Sequence, residues 1–100
     1  MSLYLVPNLP LIRVDSGSEA TLQCVLIGNI QVTRGSFSWT FGQGEPLRNT
    51  DDGHVTIEES ISGAVSTLII NSVNRGDEGE YSCSYTSLEP VSITMDVVCK

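Results

Sequence analysis

Apolar and polar residues alternate with a period of two along most of the chain, the pattern of strands that bury one face and turn the other to water. Over residues 19–26, Ala20, Leu22, Cys24 and Leu26 alternate with Thr21, Gln23 and Val25, so Cys24 belongs to the buried side. Phe37, Trp39 and Phe41 alternate with Ser36, Ser38 and Thr40; this is the clearest strand, and its aromatic side is expected to be buried. Val55 and Ile57 share a face after His54, and Ser66, Leu68 and Ile70 share one over residues 65–71. Tyr81 and Cys83 lie on one side of a strand over 79–85. Val91, Ile93, Met95 and Val97 face inward in a last strand over 91–99. No stretch sustains a helical apolar stripe over three turns.

The punctuation between these runs is made of turn formers. Asp15-Ser16-Gly17-Ser18, Gly42-Gln43-Gly44-Glu45-Pro46, Ser62-Gly63 and Asn74-Arg75-Gly76 each supply Gly, Pro, Asn or Asp where a chain reverses. A weak strand is expected near Leu47, with a polar tip over 49–53. Turn signals recur every eight to twelve residues or so, the rhythm of a sandwich or barrel of short antiparallel strands. A strand at 3–6 is broken by Pro7 and Pro10 and resumes at 11–14; proline confines it to an edge.

Composition narrows the class. One hundred residues make one domain, residues 1–100, with an ordinary apolar share of 40% and one modest core. The net charge of −7 repels a phosphate backbone and an anionic membrane surface, so nucleic acid is a poor partner. No run approaches the ~18 apolar residues of a membrane span, and direct membrane insertion of this segment is not expected. Residues 1–7 lack the basic and apolar regions of a signal peptide, which suggests a domain cut from a longer protein. The three cysteines, Cys24, Cys83 and Cys99, are far apart and accompanied by one histidine, a poor match to a zinc site. They form a disulfide with one cysteine left over, or remain three thiols. Asp51-Asp52-Gly53 lacks the remaining oxygen ligands of a calcium loop and reads as a plain turn. With one histidine and no nucleophile elbow, no reaction and no cofactor are expected. None of Asn8, Asn29, Asn49, Asn71 and Asn74 begins an Asn-x-Ser/Thr sequon.

Cys24, Trp39, Leu68, Asp77, Gly79, Tyr81 and Cys83 together resemble the immunoglobulin superfamily over residues 11–98. Gly44-Glu45-Pro46-Leu47 after the tryptophan, and Ser66-Thr67-Leu68-Ile69-Ile70 before Val73, are most similar to its I-set subtype, with short V-like domains close behind. The resemblance implies an all-β sandwich of two antiparallel sheets with about seven to nine strands. It implies a disulfide between Cys24 and Cys83 across the sheets, Trp39 packed on it, and Tyr81 bonding back to nearby backbone. Such a bridge closes a loop of about 60 residues, worth roughly 4 kcal/mol in the chain-entropy treatment. The family often places an arginine at the start of the strand following residue 53, paired with the aspartate matching Asp77. Here that position is His54, which predicts a contact with Asp77 that strengthens when the imidazole is protonated; the plainer expectation is a solvated loop-edge histidine. Cys99 has no cysteine opposite it and is expected to pair outside the domain or stay a free thiol.

The functional class follows from the resemblance: noncovalent protein recognition or adhesion by an extracellular module of a cell-surface or secreted protein. Its partner is the same protein, another surface protein, or adjacent domains of its own chain. The alternatives are a spacer in a tandem array and an intracellular muscle-type I-set domain with reduced cysteines. One candidate contact face is the hydroxyl-rich outer side formed by Ser36, Ser38, Thr40, Ser82, Ser84, Ser92 and Thr94. A second is an apolar patch of Val25, Ile27, Val65 and Ile69 on the other sheet. Loops over 28–35 and 86–89 are further candidates.

Overall fold

The computed structural model describes residues 2–28 and 31–99. Nine strands form among them: β1 (Ser2–Val6), β2 (Leu11–Asp15), β3 (Ala20–Ile27), β4 (Phe37–Phe41), β5 (Glu45–Pro46), β6 (Val55–Glu59), β7 (Val65–Ile70), β8 (Gly79–Tyr85) and β9 (Val91–Val98). A one-turn 3-10 helix, Arg75–Asp77, precedes β8. The strands build two sheets, β1-β3-β7-β6 and β2-β9-β8-β4-β5. This is the layered answer to strands apolar on one side only: each sheet buries that side against the other.

One pairing departs from an all-antiparallel plan. β2 runs parallel to β9, so the five-stranded sheet is mixed. The physical reason lies in Pro7 and Pro10. Residues 7–10 interrupt pairing with β3 without reversing the chain, so β2 keeps the direction of β1 while crossing to the other sheet. The two halves of the broken first strand thus edge opposite sheets.

The core is one cluster of inward residues from both sheets, with Leu22, Leu68, Ile70, Val73, Tyr81, Ile93 and Met95 almost wholly removed from water. The disulfide Cys24–Cys83 crosses it, joining β3 to β8 with Cα atoms 6.4 Å apart. A second link lies beside it. Trp39, opposite Cys83 in register, donates from Nε1 to Oγ of Ser66 at 2.9 Å, and Ser66 stands opposite Cys24. Both members are buried, Trp39 at 2% and Ser66 at 1% exposure. A hydroxyl among leucines is tolerated there because the indole N–H needs an acceptor.

The aromatic side of β4 is less enclosed than the alternation predicts. Trp39 is buried, but Phe37 and Phe41 remain half-exposed. β4 lies next to the outermost strand, where only two-residue β5 shields it. The two phenylalanines instead rest on the tyrosines opposite them: Phe37 edge-on against Tyr85 at 5.0 Å and Phe41 tilted on Tyr81 at 4.9 Å.

Ser66→Ala leaves the buried Trp39 N–H without an acceptor. Its expected cost is about 1–3 kcal/mol, read as a lower urea midpoint at unchanged slope in the oxidised protein.

Candidate functional site

The segment from Asn74 to Cys83 is fixed from several directions. Asn74 caps the 3-10 turn: its Oδ1 accepts the Gly76 N–H at 2.8 Å, while Asp77 Oδ2 accepts the Asn74 N–H at 2.9 Å. The Tyr81 hydroxyl donates to the Asp77 carbonyl at 2.5 Å. Burial, then the nearby Asp77 charge, pushes the Tyr81 phenol up, so it stays a donor at any physiological pH. Glu78 Oε2 accepts the Val97 N–H at 2.9 Å, tying the corner to β9. Gly79 sits at φ +150°, a backbone conformation that favours glycine, and a Cβ there would meet the Phe41 ring at 3.0 Å, so the ring would have to give way.

His54 lies against this corner. Its Nε2 is 2.9 Å from Oδ1 and 3.0 Å from Oδ2 of Asp77. The two side chains are 25% and 14% exposed, so the contact is sheltered but open to protons. The hydrogen bond that His54 donates to Asp77 raises the His54 pKa; burial opposes this, and the Asp77 charge adds to it. The solvated loop-edge placement is therefore not the one observed.

The hydroxyl-rich side of the five-stranded sheet forms ordered rows. Pro46, Thr40, Ser82 and Ser92 stand side by side, and Ser38 faces Ser84. Neighbouring hydroxyls bond to each other, Ser38 to Ser84 and Ser82 to Ser92, both at 2.7 Å. Ser38 and Ser92 are exposed, while Thr40, Ser82, Ser84 and Thr94 are half-covered by neighbours. Ser36 precedes β4 and is half-covered off the strand, its carbonyl accepting Thr86 N–H at 3.4 Å. Charge begins at one end of this field, with Glu80 opposite Thr94 and the Arg13–Asp96 pair at 3.7 Å beyond.

The other candidates are more dispersed. On the four-stranded sheet Val25, Val65 and Ile69 are half-covered and Ile27 is exposed; Tyr4 lies opposite Val25 and joins this patch. In the loop over 28–35, Asn29 and Ile30 lie outside the described residues. Residues 33–35 of it are tied down. Arg34 donates to the Ser60 and Ile61 carbonyls at 2.5 and 2.6 Å, and Thr33 N–H donates to the Tyr85 hydroxyl at 2.9 Å. Residues 87–91 and the start of β1 line a shallow depression of about 390 Å³. Cys99, in register with the inward side of β9, is exposed at the strand end, where Arg75 Nε lies 3.3 Å from its sulfur.

Ser66, Asn74 and Tyr85 were not among the site residues legible from the chain. A serine at an inward strand position signals a buried acceptor or donor. Asn74 with an acid three residues on, Asp77, carries the signature of a capped turn. Tyr85 differs from an ordinary core aromatic only through its hydroxyl contact with a loop distant in sequence.

Comparison with known proteins fits this architecture. The immunoglobulin I-set domain family matches residues 5–89, and the chain belongs to that family. Among solved structures it is similar to the Dpr2 Ig1-Ig2 chain in a complex with DIP-Theta Ig1-Ig3, at TM-score 0.78 and 19% identity. That likeness covers 100% of this chain and 51% of the other, so this chain spans about half its length. The ZIG-8 IG1 homodimer matches at TM-score 0.68 and 18% identity, over 91% of this chain and 80% of that one. The first Ig domain of the mouse polymeric immunoglobulin receptor matches at 0.75 and 14%, over 99% and 96%. At these identities the likeness establishes the fold.

Tyr81→Phe removes the hydroxyl that holds the Asp77 carbonyl. A loss of about 0.5–1.5 kcal/mol is expected in chemical unfolding, together with faster amide exchange over 74–79.

Proposed function

We propose that this domain is a noncatalytic recognition module of a larger extracellular protein, and that it meets its protein partner through the hydroxyl-rich side of the five-stranded sheet. The observation that carries the reading is the internal pairing of that side's hydroxyls. A partner covering Ser38–Ser84 and Ser82–Ser92 leaves one bond per pair already made, which lowers the cost of removing water. Each pair still has one O–H and three lone pairs to offer. The side lacks charge across its middle, and contains no sequon to carry a bulky glycan. Related folds that associate through immunoglobulin domains, the Dpr2 complex and the ZIG-8 homodimer, support a protein as partner. The disulfide supports an oxidising, extracellular setting.

The test uses tetramers of the oxidised domain, screened against a panel of purified immunoglobulin-superfamily ectodomains that includes the domain itself. Ser82→Glu, in the middle of the hydroxyl rows, is expected to abolish any binding found while leaving the melting temperature near that of the parent. Thr21→Glu, on the outer side of β3, is expected to leave binding intact. The opposite ranking, or a panel with no binder, would overturn the assignment.

A further inference from the structure

His54 immediately precedes β6 and opens on a depression of about 400 Å³ lined with Asp52, Gly53, Asn71 and Ser72. Protons therefore reach the ring, although its Nε2 is engaged. Two carboxylates face it. Asp77 comes from the 3-10 turn, and Asp52 from the preceding turn, where its Oδ1 also accepts the His54 N–H at 2.9 Å. The β7 end contributes only neutral Asn71, whose N–H donates to the His54 carbonyl at 2.8 Å. The cation of the corner, Arg75, is directed elsewhere, toward Cys99 at 3.3 Å and Glu78 at 3.9 Å. A neutral imidazole offers Asp77 one N–H; an imidazolium adds a full charge centred on both carboxylate oxygens.

The Asn74 cap, the Tyr81 hydroxyl and Glu78 hold the same segment, so the His54 contact adjusts its opening without deciding it alone. Ser72, a non-glycine residue, sits at φ +52°, and the 3-10 turn that follows has few backbone bonds of its own. Residue 73 is separately secured: Val73 N–H donates to Ser18, and Gly17 N–H donates to Val73. Opening would thus be confined to residues 74–78, since Gly79, in β8, already pairs with Met95. We propose that His54 and Asp77 form a pH-responsive latch between the start of β6 and the β7–β8 corner, closed by protonation of the imidazole and slackened by its loss.

The direction of the effect follows from linkage. A histidine whose pKa is raised in the folded state stabilises that state fully below its unfolded value, about 6.5. That contribution is lost as pH rises through the folded value. An arginine in the same place would hold the corner at every physiological pH. With histidine, the corner is firmest in a mildly acidic setting and loosens toward neutral and alkaline pH.

Because the chain has one histidine, its ring resonances identify themselves. The ring is expected to titrate above its value in the urea-unfolded chain. Native-state amide exchange, corrected for intrinsic rates, is compared at about pH 5.5 and about pH 8, on either side of the ordinary histidine range. Protection over 74–78 should fall several-fold relative to β3 core amides as pH rises in the parent. It should stay high at both values in His54→Arg, and low at both in His54→Gln. A ring titrating at or below the unfolded value, or a His54→Arg variant with the parent's pH dependence, would overturn the latch. If the variants do not fold, the ring titration of the parent alone decides.

Discussion

The structure depends on a double cross-link at the centre of the sandwich. The disulfide joins Cys24 to Cys83, and a hydrogen bond joins Ser66 to Trp39. Each residue of one link is the cross-strand neighbour of a residue of the other, Cys24 beside Ser66 and Cys83 beside Trp39. The two links therefore span the same level of the sandwich, one covalent and the other polar. Sheets carrying only apolar inner faces can slide, since dispersion and hydrophobic attraction are non-directional. A covalent bridge and a directed hydrogen bond at one level remove that freedom. Every inward residue of β3, β7, β8 and β4 then takes its place by alternation from this level.

The fixed frame explains why the outer side of the five-stranded sheet is ordered. Ser82 and Ser84 flank Cys83 in β8, and Ser38 and Thr40 flank Trp39 in β4. Residues adjacent to the cross-link on the inside are thus the hydroxyl residues on the outside. Rigid strands in fixed register bring these hydroxyls to 2.7 Å from one another. The corner before β8 adds a further constraint on that strand. There the Asp77 carbonyl holds Tyr81 and its carboxylate holds both the turn and His54, so one residue couples β8, the 3-10 turn and the approach to β6.

Different parts of this arrangement were legible to different degrees. The strand alternation that put Cys24, Trp39, Tyr81 and Cys83 inward rests on a period of two, which any half-buried sheet must obey. The β2–β9 pairing was not legible. Prolines mark where a strand breaks, but the sheet that receives the next strand is decided by which edge remains unpaired. The partial exposure of Phe37 and Phe41 was missed for a similar reason. Alternation tells which side a residue faces, not whether another strand covers it. Cys99 likewise follows the inward register yet stands exposed, because β9 ends at Val98 and the core ends with it.

The sequence by itself determined the class of fold, the inward residues, and the chemistry of the outer hydroxyl side. These depend on local periodicity and on side-chain type. Tertiary structure alone decided the Trp39–Ser66 bond and the hydroxyl pairs, and it chose the Asp77 contact over a solvated edge for His54. Most of these join residues distant along the chain: Ser38 and Ser84 are 46 apart, Trp39 and Ser66 27, and His54 and Asp77 23. A hydrogen bond forms only within a few tenths of an ångström of its optimum, and that distance is set by strand register and sheet packing, not by either partner alone.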